Sequence, residues 1–150
     1  MAVELHVQKD MKHLLLIVST LFCVQFSQAN TADSSRSVQV GDSAMVSACP
    51  VKGYVYLQYY QKTRFTNINA TYNKTTGEDF YEYFFLDGDF DAKALPCSYG
   101  NKKYRILSIR TLVDKNTGAD RPVMFLDLGL NTVAWVELNG AVEAVEVFLE

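Results

Sequence analysis

Histidine is nearly missing from this chain: only His6 and His13 carry an imidazole, and both lie close to the N-terminus. Cysteine is sparse as well, at three residues, and tryptophan occurs once. No excess of positive charge is present, since the net charge is −3. A nucleic-acid-binding domain rewards a clustered basic surface, so nucleic acid is not an expected partner. Lys102, Lys103, Arg105 and Arg110 are the nearest approach to a basic patch, and they read as the solvated face of a strand. Long amphipathic helical patterns are lacking too, which turns attention to β-structure.

The N-terminal segment has the three parts of a secretory signal. Lys12 and His13 precede an apolar stretch made of Leu14 to Val18, Leu21, Phe22, Val24 and Phe26, and Ser27-Gln28-Ala29 closes it with small residues. That stretch is short for a bilayer span, which takes about 20 apolar residues. Cleavage is expected after Ala29, with residues 30–37 a flexible lead-in and 38–150 one domain. Glu4 and Asp10 put acid where an export signal wants base, so Met11 is the better start. Phe22 before Cys23 argues against a lipoprotein signal, and no stable membrane anchor is expected. The expected location is periplasmic or secreted.

Removing residues 1–29 takes Lys9 and Lys12 with Glu4 and Asp10, so the net charge is unchanged. It also takes both histidines and Cys23. The remaining Cys49 and Cys97 form an even count in an oxidising compartment and are expected to pair. Without imidazole, a serine, threonine or cysteine nucleophile loses its usual base. The common zinc and copper sites lose their ligands, and paired cysteines supply no thiolate. Carboxylate chemistry, a lysine or tyrosine base, or no chemistry remain. The simplest expectation is a non-enzymatic protein with no cofactor.

Along 38–150 the pattern predicts strands. Val38, Val40, Ala44 and Val46 alternate with polar neighbours around a Gly41-Asp42 bend. Tyr54 to Tyr60, Thr63 to Tyr72 and Phe80 to Leu86 read as further strands, with Asn73 to Gly77 a turn. Residues 87–100 read as irregular. Tyr104 to Val113, Arg121 to Leu128 and Thr132 to Leu138 form a meander joined by a loop at 114–120 and a turn at Gly129. Asn139-Gly140 predicts a tight turn, and Ala144 to Leu149 a last strand, with a helix from Gly140 the competing reading. Seven to eight short strands with one disulfide predict an all-β fold, a small SH3-like or OB-like barrel.

The order of these parts carries a resemblance. Gly41-Asp42 in the first strand is followed by a long excursion, then three meandering strands, Trp135-Val136 in the third, the Asn139-Gly140-Ala141 turn and a closing strand. This order resembles the SH3-like small β-barrels, including the bacterial extracellular type. The resemblance implies binding of peptides, proteins or cell-wall material. It also makes Trp135 a ligand-binding candidate. The tyrosine-rich 54–100 segment is longer than the loop of a simple barrel of that type.

All nine tyrosines fall between positions 54 and 104. Tyr54, Tyr56, Tyr59, Tyr60, Tyr81, Tyr83 and Tyr99 are ligand-binding candidates, because tyrosine offers rigid contact area with a polar tip. The alternative is that most of them are core and cross-strand pairs. Asp87, Asp89 and Asp91 have the 1, 3, 5 spacing of a calcium loop, although Ala92 and Ser98 stand where glycine and an acid are needed. Asn69-Ala70-Thr71 and Asn73-Lys74-Thr75 match the N-glycosylation pattern. The expected function is an exported binding domain for a protein or cell-envelope polymer. Two alternatives are an inhibitor blocking an enzyme cleft with its acidic 78–91 loop, and a carboxylate-dependent glycan hydrolase.

Overall fold

Alternation is cleanest in the C-terminal half, and the longest ladder forms there. The computed structural model describes residues 37–150. The expected signal at 1–29, and all of the expected lead-in except Ser37, lie outside the described residues. The strands are β1 (Ser43–Val46), β2 (Leu57–Arg64), β3 (Asp89–Ala94), β4 (Lys102–Val113), β5 (Asp120–Gly129), β6 (Thr132–Glu137) and β7 (Val147–Leu149). They form one antiparallel sheet in the order β3-β2-β6-β5-β4-β1-β7. A π-helical turn (Glu82–Leu86), a 3-10 turn (Cys97–Tyr99) and helix α1 (Leu138–Glu143) complete the fold. The described residues are therefore all-β, with seven strands and one disulfide.

Successive residues of a strand point to opposite faces, and both faces of this sheet are apolar. Met124 and Leu126 join Leu57, Ile106, Ala134 and Val136 in one core. Val123 and Phe125 join Phe80, Phe84 and Val133 in the other. Ala44 and Val46 of β1 and Val147 of β7 share the first core with Leu57 and Tyr59 of β2. Strands near opposite ends of the sheet order thus meet, so the sheet curls around this core.

A buried charge fastens a segment to each side. Glu146 is 2 % exposed and accepts hydrogen bonds from the backbone N–H groups of Val55 (2.8 Å) and Tyr56 (2.9 Å). Lys62 is 4 % exposed and donates through Nζ to the carbonyls of Tyr83 and Phe84, both at 2.8 Å. Its ammonium also lies over the rings of Phe65, Tyr83 and Phe84. Burying either charge alone would be costly, and the hydrogen bonds offset that cost. Cys49 and Cys97 are joined, with Cα atoms 5.1 Å apart, tying the chain after β1 to the 3-10 turn before β4.

Several expected strands take another form. β2 ends at Arg64, and the continuation through Tyr72 is turns and loop. Neither set of alternate positions is consistently apolar, and Ile68 is left exposed. Phe80 to Leu86 is helical throughout: Phe80 and Phe84, four residues apart, turn one apolar face to the sheet. The expected irregular stretch holds β3, whose six exposed residues are kept in place by the backbone ladder with β2. At the C-terminus, Asn139-Gly140 lies inside α1, and only Val147–Leu149 is strand. Gly140 suits that position because a Cβ there would collide with the ring of Tyr56. Gly88, at φ +85°, likewise leaves room for the Arg64 carbonyl.

Candidate aromatic surface

The segment before β3 and the middle of the sheet bring six rings together. Tyr60 comes from β2, Phe90 from β3, Phe125 from β5 and Trp135 from β6, while Tyr81 and Phe85 come from the π-helical segment. Ring centroids lie 5.1 Å apart for Tyr60 and Phe85, 5.4 Å for Tyr60 and Phe90, and 5.9 Å for Tyr60 and Trp135. Trp135 stands edge-on to Phe85 at 5.4 Å and to Phe125 at 5.3 Å. Such pairs add about 0.5–1.5 kcal/mol each beyond area burial. Phe125 is fully buried beneath the cluster. Tyr60, Tyr81, Phe85 and Trp135 are half-buried, and Phe90 is exposed. Five rings therefore present part of their surface to solvent.

Charged pairs surround this centre. Trp135 Nε1 donates to Glu137 Oε1 at 2.9 Å, and Glu137 is also paired with Arg121. The Arg110 guanidinium lies 4.8 Å from the centre of the Tyr81 ring and pairs with Glu82. Its hydrogen bond holds the Glu82 carboxyl below the usual carboxylate range. Burial, with smaller effects from Glu137 and Tyr81, pushes the Tyr60 hydroxyl up. Tyr60 therefore stays a neutral hydroxyl at ordinary pH and donates to Gln58 Oε1 at 2.7 Å. An apolar aromatic centre rimmed by polar groups is how recognition surfaces are commonly built.

The candidate tyrosines do not share one face. Tyr54 and Tyr59 are buried in the core that the sheet curls around, with half-buried Tyr99 against it. Tyr54 donates to the Ser47 carbonyl at 2.8 Å, and Lys93 Nζ lies 4.7 Å from the centre of the Tyr59 ring. Tyr60, Tyr81 and Tyr83 lie on the opposite side with Trp135. Tyr56 is apart from both groups, packed over Gly140. The 54–99 tyrosines are thus divided by the sheet. Phe85 and Phe90 complete the aromatic centre, and the sequence reading did not single them out; the four-residue spacing of Tyr81 and Phe85 was the available signal.

The three aspartates with calcium-loop spacing do not form a cage. Asp87 accepts from the backbone N–H of Asn67, while Asp89 and Asp91 lie on exposed β3. Among the described residues, no group of three or more His, Cys, Asp or Glu side chains is placed to hold a metal ion. Asn69 and Asn73 of the glycosylation patterns are both exposed. No helix among the described residues is long and apolar enough to cross a membrane. Compared with known proteins, the chain matches no family model, no curated protein and no solved structure.

Proposed function

We propose that this chain is an exported, non-catalytic binding domain that meets a protein or cell-envelope polymer through the Tyr60–Tyr81–Phe85–Phe90–Trp135 surface. The observation that carries the reading is the partly exposed ring cluster with its Arg–Glu rim. Trp, Tyr and Arg are the residues that dominate binding energy where surfaces recognise one another. The SH3-like resemblance points the same way by analogy alone. Export rests on the signal-like N-terminus, and the Cys49–Cys97 disulfide is consistent with an oxidising compartment. Residues 37–150 contain no histidine, and both of their cysteines are paired. The inhibitor alternative has less support, because Glu82 and Asp87 of the acidic loop are engaged within the protein.

Trp135 is the only tryptophan, so its fluorescence reports directly on this surface. Addition of purified cell-wall polymer, or of the protein partner, should shift or quench the emission. Phe90→Ser together with Trp135→Phe should reduce retention on envelope material by about tenfold or more, as loss of aromatic anchors does. Unchanged retention by a folded double variant would refute the reading.

A further inference from the structure

A cavity of about 210 Å³ opens on the same side of the sheet, at the β5–β6 hairpin. It is smaller than the roughly 300–1,000 Å³ of sites for drug-sized ligands, and suits a single ring. Phe80, Phe84 and Val133 line it with buried apolar surface. Tyr72 and Tyr83 add half-buried rings, and the exposed residues Lys74, Asp127 and Asn131 also line it. The lining therefore combines an apolar part with a hydrogen-bonding part.

Charge narrows the ligand class. The ammonium of Lys62 lies 5.1 Å from the Phe65 centroid and 5.8 Å from those of Tyr83 and Phe84. These lining rings already serve the protein's own cation, so a second cation would meet repulsion. Lys74 and Asp127 bring opposite charges to the same lining, so neither sign of ligand is favoured. A neutral ligand remains, apolar on one side and rich in hydroxyls on the other.

The polar groups are available. Among the described residues, the side chains of Lys74 and Asn131 have no hydrogen-bond partner; their main-chain carbonyls accept from Arg105 and Lys62. Asp127 uses Oδ1 on the Gly129 N–H. The hairpin holds Leu130 at φ +47° and Asn131 at φ +59°, the pair of positive values a two-residue turn between Gly129 and Thr132 requires, and this turn presents the Asn131 side chain at the cavity.

We propose that this cavity is a subsite for one N-acetylated amino-sugar unit of an envelope glycan. The acetyl methyl meets half-buried Leu107, Tyr72 and Tyr83 over the buried floor of Phe80, Phe84 and Val133, and the sugar hydroxyls meet Asp127, Asn131 and Lys74. This rests on the binding-domain reading and selects the glycan as its ligand. Tyr72 adds a hydroxyl that burial, then Asp127, pushes up, with Arg105 opposing.

The test is titration of methyl-labelled protein with N,N′,N″-triacetylchitotriose (chitotriose below), followed by NMR at Leu107 and Val133. The expected result is saturable shifts at both, with affinity at least about tenfold above that for cellotriose, which has no acetyl groups. Asn131→Gly keeps the positive φ, and Asp127→Asn keeps an acceptor for Gly129. Each should weaken chitotriose about fivefold, the scale of one hydrogen bond. Unmoved methyls, equal affinity for cellotriose, or a response to zwitterionic phenylalanine in place of sugar would each overturn the subsite. Envelope retention that still depends on Trp135 while chitotriose leaves the methyls unmoved removes the subsite and keeps the binding domain. Loss of both removes both.

Discussion

Lys62 stands in the polar run Gln61-Lys62-Thr63-Arg64, yet its ammonium is buried against two carbonyls from residues 83 and 84. Its partners lie about twenty positions away and come within reach only because that segment is helical, so the burial was not legible beforehand. Glu146 was hidden for the same reason, its partners being 55 and 56. Trp135 and Tyr60 were legible as candidates, whereas their convergence with Phe85 and Phe90 depends on pairing between distant strands. Lys62→Met keeps the length of the side chain but leaves both carbonyls without their donor. It should lower unfolding stability in urea by about 2–4 kcal/mol. A loss under about 0.5 kcal/mol would show that these bonds do not hold the π-helical segment in place.

At the scale of elements, β4, β5 and β6 were well read, because alternation and turn residues agree there. The 80–94 region was not. Aromatic residues favour strands by propensity, but Phe80 and Phe84 bury one helical face. β3 carries no apolar alternation and exists through its ladder with β2. The chain end divides between the two readings, with a short helix first and a short strand after it. Between them Val145 sits at φ +57°, a genuine outlier for a β-branched residue. Val145→Gly should therefore raise stability by about 1 kcal/mol, seen as a higher thermal midpoint. No gain would mean that the exposed valine side chain contributes as much as its backbone costs.

Two predictions belong to the whole molecule. Reducing Cys49–Cys97 releases a loop spanning 48 positions, which should cost about 4 kcal/mol on the chain-entropy account. Denaturant midpoints with and without reductant measure it. The second concerns alkaline pH. Burial is the main cause that pushes up the hydroxyls of Tyr54, Tyr60, Tyr72, Tyr99 and Tyr104. Above the usual tyrosine value of about 10 the folded state holds more of these protons than the unfolded state does. That stabilisation is complete below pH 10 and is lost as pH rises through the raised values. Lys62 acts the other way, since burial lowers its pKa against a smaller effect of Asp87. Its contribution rises with pH between the lowered value and the ordinary lysine range. Five hydroxyls against one ammonium give net loss, so the denaturant midpoint should fall steadily above pH 10. A flat profile there would contradict the prediction.

Val123 to Leu126 are four consecutive buried apolar residues in a strand walled by a core on each side. Sliding β5 by one position would exchange which of them faces which core, and hydrophobicity alone would scarcely notice. What indexes the strand is local: the irregularity between Asp127 and Gly129, and the turn at Leu130-Asn131. One residue inserted in that turn should leave a collapsed, water-excluding protein whose aromatic surface is assembled from the wrong side chains.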